Sequence, residues 1–354
     1  MSTHPLRTNT ATLGPSEVFG PPSPVLSVSP VTLPAPDRAV DLEVRVSVPL
    51  TGAGTPGHGT SGQGTPGHGS PGQGTPGAGS RLPVILLSHG QGYSNNLSSL
   101  NGYAPLVTFW AAHGFAVLQP THLSSTTLDL PPETPGAPLH WRSRAEDLSR
   151  VLDRLDEIEA AVPGLTGRLD RDRIAVAGHS MGGHTAGLLL GARLTDPDDG
   201  TEVDLADSRI GAGVLLAAPG RGGDAIVPAV AESLPFLTTT DFSRMETPAL
   251  VVAGDKDESG HLTVRGPDWH ADPYTLAPGP KALLTLFGAE HGLGGVSGYD
   301  VAETTDENPA RVAAVARLTW AYLRSRLYAD ETAWRTAREA LASGPDAFGR
   351  VESK

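Results

Sequence analysis

A succession of short apolar runs, each followed by residues at helical spacing, constrains this chain more than any other feature. The runs at 82–87, 115–119, 174–177, 213–218, 249–253 and 282–286 are continuous rather than alternating. That is the pattern of strands buried on both faces. Between them, residues 142–161 place Leu148, Val151, Leu152, Leu155 and Ile158 three and four apart, which marks one apolar helix face that Pro163 and Gly164 terminate. Residues 312–327 do the same with Val315, Leu318, Tyr322 and Leu323, and a helix is expected at 106–113. The alternation predicts an α/β fold, with a mostly parallel central sheet and helices on both faces. By contrast, Asp41-Leu-Glu-Val-Arg-Val-Ser-Val alternates polar and apolar residues, which gives the sheet a half-exposed antiparallel hairpin at its N-terminal end.

Residues 55–79 interrupt that hairpin with five pentads, TPGHG-TSGQG-TPGHG-SPGQG-TPGAG. Glycine and proline at this density leave almost no side chain to pack, so the repeat is expected to be a disordered insertion in the hairpin turn. His58 and His68 are then incidental to it and hold no metal. Loop-closure entropy grows only logarithmically with length, so such an insertion costs little. The expected organisation is one domain over 25–329, a flexible extension at 1–24, and a short helix with a tail at 330–354. Residues 219–247 carry Ile226, Val227, Val230, Leu234 and Phe236. They read either as a lid or pocket wall, or as a plain surface helix.

Composition removes several function classes. Lys and Arg number 26 against 39 Asp and Glu, a formal charge of −13 that is unsuited to neutralising phosphates, so no nucleic-acid partner is expected. There is no cysteine, hence no disulfide, no thiolate metal site and no cysteine nucleophile. Neither a signal-peptide core in Met1-Ser-Thr-His-Pro-Leu-Arg nor a run of about 18 apolar residues is present. A cytoplasmic protein without a membrane span is therefore expected. The acidic stretch 196–207 misses the spacing of a calcium loop and reads as an exposed loop.

The chemistry concentrates at Gly178-His-Ser-Met-Gly182. The bare Gly-x-Ser-x-Gly pattern is common by chance in a glycine-rich chain; its position between a buried strand and a helix is not. There Ser180 occupies a sharp turn, with a helix N-terminus and its free N–H groups behind it. A serine nucleophile needs a base, and the base needs an orienting acid. Asp257 follows the run at 249–253 and His291 follows the run at 282–286, both in loops at the same sheet edge. Asp255 is the rival acid. Oxyanion donors are expected at the N–H of Met181 and at Gln91 in His89-Gly-Gln-Gly-Tyr. His89 is read as a brace for that loop. Tyr93, His179, Phe236 and Trp269 are candidate substrate contacts, the last beside His270 in the long loop before the run at 282–286. His184 reads as a packing or surface histidine. No organic cofactor or metal is called for.

The order Ser180, Asp257, His291 resembles that of the α/β-hydrolases, over roughly residues 25–327. The Gly-His-Ser-Met-Gly-Gly elbow is similar to that of the bacterial cutinase and polyester-hydrolase group. The Ser88-His-Gly-Gln-Gly loop with its following Ser94-Asn also resembles chlorophyllase-like, dienelactone-hydrolase-like and platelet-activating-factor-acetylhydrolase-like enzymes. The resemblance implies hydrolysis of a small to medium carboxylic ester, with Ser180 as nucleophile, His291 as base and Asp257 as acid. Acyl transfer to another alcohol, amide cleavage, or an inactive binding scaffold are the alternatives that the same residues leave open.

Overall fold

The computed structural model describes residues 19–50, 81–298, 300–343 and 348–354; the pentads and residues 1–18 lie outside them. Among the described residues eleven strands form, in chain order, β1 (Val25–Leu33), β2 (Leu42–Pro49), β3 (Leu82–Ser88), β4 (Ala116–Pro120), β5 (Leu169–His179), β6 (Arg193–Thr195), β7 (Glu202–Asp204), β8 (Ile210–Leu216), β9 (Ala249–Gly254), β10 (Lys281–Leu286) and β11 (Gly349–Ser353). The helices are α1 (Ala104–Ala112), α2 (Trp141–Asp153), α3 (Leu155–Ala161), α4 (Met181–Leu189), α5 (Pro228–Ser233), α6 (Asp272–Thr275), α7 (Pro309–Tyr328) and α8 (Thr332–Ser343).

The main sheet runs β1-β2-β4-β3-β5-β8-β9-β10-β11. Strands β4, β3, β5, β8, β9 and β10 are parallel. Its two faces are covered separately. Trp110, Leu318, Trp320 and Tyr322 of α1 and α7 pack on one side, and Leu148, Val151, Ile158 and Leu189 of α2, α3 and α4 on the other. This sandwiching explains the continuous apolar runs. Every residue of β3 is buried, each large aliphatic side chain contributing about 1.5–3 kcal/mol. Among the described residues no helix is long and apolar enough to cross a membrane.

Four expectations need correction. First, β2 and β3 share the sheet but are not neighbours. β2 pairs antiparallel with β1 on one side and β4 on the other, and β3 pairs with β4 and β5. The hairpin is therefore β1–β2, and the connection carrying the pentads joins strands that flank β4 instead of turning a hairpin. Second, the helix expected over 142–161 breaks at Arg154, which leaves the helical region (φ −119°) and caps α2 on the Val151 carbonyl. Third, residues 19–24 are not a loose extension. Phe19 packs edge-on to Phe109 at 6.0 Å and lies 5.1 Å from Trp320, and Ser23 N–H donates to Ala112 O at 2.9 Å. Fourth, beyond α8, which rests on α7 through Trp334 and Tyr322, the C-terminal residues return as β11, antiparallel to β10. The acidic stretch lies largely within the β6–β7 hairpin, where Asp196 pairs with Arg142.

Two strand spacings, about 10 Å, separate β2 from β3. Without residues 55–79 the rest of the connection still reaches about 20 Å when extended. Deleting the repeat is expected to shift Tm by less than about 2 °C, as calorimetry would show.

Candidate active site

All the singled-out loops leave the C-terminal ends of parallel strands, the edge where ligands bind in open α/β sheets. β5 runs straight into Ser180, which is held at φ 54°, ψ −121° between strand and helix. A non-glycine residue rarely adopts this conformation, and here the packing enforces it. A Cβ on Gly178 would lie 2.0 Å from the Gly182 carbonyl oxygen, and one on Gly182 would lie 2.1 Å from that of Ser88. The two glycines thus let β5, α4 and β3 approach at backbone contact. Gly183 and His184 N–H groups bond back to the Ser180 carbonyl. Those of Met181 and Gly182, in the first turn of α4, have no carbonyl within the helix to bond.

His291, in the loop after β10, places Nε2 2.8 Å from Ser180 Oγ. Its Nδ1–H donates to Asp257 Oδ2 at 2.9 Å, with Oδ1 at 3.1 Å. Asp257 comes from the loop after β9 and is 1% exposed. Burial pushes its carboxyl up, but hydrogen bonds from His270 and His291 more than offset this and hold it well below the usual carboxylate range. Asp255 is placed elsewhere: its Oδ1 accepts the Gly288 N–H at 2.7 Å and secures the turn after β10.

No family model matches the chain. It is 29% identical over 182 residues to Cutinase 2 of Thermobifida cellulosilytica, a match covering 51% of this chain and 51% of that protein. It is equally 29% identical over 182 residues to Cutinase cut1 of Thermobifida fusca, covering 51% and 42%. The chain thus spans about half the length of the curated relatives it matches. The fold is that of an α/β-hydrolase, and the sequence is similar to cutinases.

In this fold the cavity at Ser180 encloses about 660 Å³. Gln91 and Tyr93 line it, the latter 74% exposed at its mouth. His179 borders the cavity but serves as a brace, because both ring nitrogens are spent on protein. Gly90 N–H donates to Tyr103 OH (2.8 Å), Tyr103 OH donates to His179 Nδ1 (3.1 Å), and His179 Nε2–H donates to the His291 carbonyl (2.8 Å). Burial pulls His179 down to about 3, so the ring is neutral and ties the Gln91 loop to the His291 loop.

Phe236 and Trp269 do not line the cavity. Both are buried in a satellite core with Met181, Leu188 and Leu194, where Phe236 stacks on Trp141 and Trp269 Nε1–H donates to the Arg221 carbonyl. Their apolar area is covered by α4 and the 219–247 segment, and no residue of that segment borders the cavity. Polar residues that the sequence pattern does not mark take their place: Lys256, Glu258, His261, Glu290, Glu303 and Thr304. They lie in loops without periodicity, where only adjacency to Asp257 and His291 could have suggested them. His184 is a buried packing residue, edge-on to Phe236, and burial pulls it down to about 3.

Behind the Gln91 loop lies a charged network equally invisible in the sequence. Arg144 of α2 is fully buried and donates to the His89 carbonyl, to Ser124 Oγ (2.6 Å) and to Thr185 Oγ1 of α4 (3.1 Å). Burial pulls its guanidinium down to about 10. Nearby, Asp147 accepts from Arg38 (2.9 Å) and His122 (3.0 Å), burial pushing its carboxyl up to about 6. His89 braces this network: Nδ1–H donates to Gly90 O (2.7 Å), and Nε2 accepts from His122 N–H (3.1 Å). Burial keeps the His89 ring neutral.

Among the described residues one trio, Asp257, His270 and His291, brings its ligand atoms within 4.8 Å of one another. A metal there would displace the Nδ1 proton by which His291 bonds Asp257, so the trio serves proton chemistry better than metal binding.

Proposed function

We propose that the chain is a serine hydrolase cleaving a small to medium carboxylic ester through an acyl-enzyme. One observation carries the reading: an unusually conformed serine hydroxyl lies 2.8 Å from an imidazole whose other nitrogen donates to a buried carboxylate. The similarity to cutinases supports it.

In the first step His291 Nε2 takes the Ser180 proton as Oγ attacks the ester carbonyl, and the Asp257 carboxylate stabilises the imidazolium that forms. The N–H groups of Met181 and Gln91 hold the developing oxyanion, preorganised by the helix turn and by the Tyr103–His179 brace. His291 then protonates the departing alcohol. In the second step it activates water, which releases the acid and restores Ser180. Nothing in this sequence of proton transfers calls for a metal or an organic cofactor.

A fluorophosphonate probe tests the reading directly. The native chain is expected to be labelled at Ser180, and Ser180→Ala to be unlabelled and to lose p-nitrophenyl ester turnover. A folded native chain that stays unlabelled would exclude an activated serine.

A further inference from the structure

The acid that receives His291 also faces a second histidine. His270 is completely buried in the turn before α6, and both its ring nitrogens look at acceptors. Nδ1 lies 2.8 Å from the Ala218 carbonyl, which can only accept. Nε2 lies 3.0 Å from Ser259 Oγ and 3.3 Å from Asp257 Oδ2. The Ser259 hydroxyl proton is directed to Asp257 Oδ1 at 3.1 Å, so only its lone pairs remain for His270. A neutral imidazole would set a lone pair against the Ala218 carbonyl in one tautomer and against the carboxylate in the other. Only a ring protonated on both nitrogens satisfies every contact.

The geometry points to His270 as a positioning residue for the proposed ester hydrolysis, an imidazolium that shares the Asp257 carboxylate with His291 and sets how strongly His291 holds a proton. The two rings lie 5.6 Å apart between centroids, on either side of one carboxylate. A positive charge on His270 answers the Asp257 charge at rest and opposes a second proton on His291. The shared carboxylate therefore stabilises the imidazolium that forms on His291 less than a carboxylate of its own would. Other titratable groups around the ring leave this balance in place. His179, at the end of β5, is neutral, and burial lowers His261 in the loop after β9. Asp272 on α6 is engaged by Arg265 at 2.7 Å.

This inference rests on the proposed hydrolysis, and its two readouts separate the one from the other. Nitrogen-15 NMR of histidine-labelled native protein is expected to show one ring doubly protonated through neutral pH, a signal absent from His270→Gln. Should that variant not fold, Ser259→Ala assigns the signal by shifting it. In kinetics, His270→Gln keeps a donor towards Asp257 without the charge. The acid limb of its kcat/KM profile is expected to move up by about one pH unit. A residue that merely packs would lower kcat and leave that midpoint in place. A neutral His270 in the NMR spectrum, or an unmoved midpoint in a folded, fluorophosphonate-reactive His270→Gln, overturns the inference. An unreactive native protein overturns the hydrolase reading instead, while the NMR result still stands or falls on its own.

Discussion

Asp257→Asn is expected to lower kcat for p-nitrophenyl esters by about four orders of magnitude, whereas Asp255→Asn changes it only a few-fold. The asymmetry follows from geometry. Asp257 is buried and receives His291 Nδ1–H at 2.9 Å, so an amide there presents either a weaker acceptor or a donor to the imidazole and favours the wrong tautomer. Asp255 lies two residues earlier but accepts the Gly288 backbone N–H instead. Losing that bond loosens a turn and leaves the base oriented. Steady-state kinetics of both variants decides the matter. A large loss in Asp255→Asn with activity retained in Asp257→Asn would transfer the role.

The second large effect concerns a methyl group. Gly182→Ala places a Cβ 2.1 Å from the Ser88 carbonyl oxygen and 2.7 Å from that of His89, both backbone atoms of the strand and loop that carry Gln91. No rotamer relieves a backbone clash, so α4 must move away from β3. The expected cost is about 3 kcal/mol or more, with Tm lower by about 10 °C and Ser180 displaced from His291. Gly187→Ala, five residues further along the same helix, meets nothing nearer than 3.5 Å and is expected to be neutral or slightly stabilising, since alanine is the better helix former. Thermal melts of the pair test packing apart from propensity. Equal losses in both would show that helix propensity, and not the contact with β3, governs the position.

The features legible in the sequence are those whose determinants are local. Each buried strand announces itself by a continuous apolar run, and Ser180, Asp257 and His291 each follow such a run within a few residues, so one edge of the sheet could be populated by counting from strand ends. Strand order was harder, because nothing within 41–48 or 82–88 shows that β4 will separate them. Side chains that act across long separations were hidden altogether. Arg144 reaches His89, 55 residues away, and Tyr103 reaches His179, 76 away; neither leaves a local pattern. Hydrophobicity also misled at Trp269 and Phe236. Large apolar rings were assigned to a pocket wall, yet they bury more area between α4 and its covering segment. It is the adjacent ring, His270, that turns towards the acid.

The antiparallel pairing of β11 with β10 carries a consequence for solubility. β10 is the last parallel strand and is buried along almost its whole length. Stripped of residues 349–353, it would present a flat, aliphatic row of open amides and carbonyls, the template on which separate molecules zip together. The residues of β11, with Arg350 and Glu352 exposed, therefore act as a charged selvedge that keeps one molecule's sheet from continuing into the next.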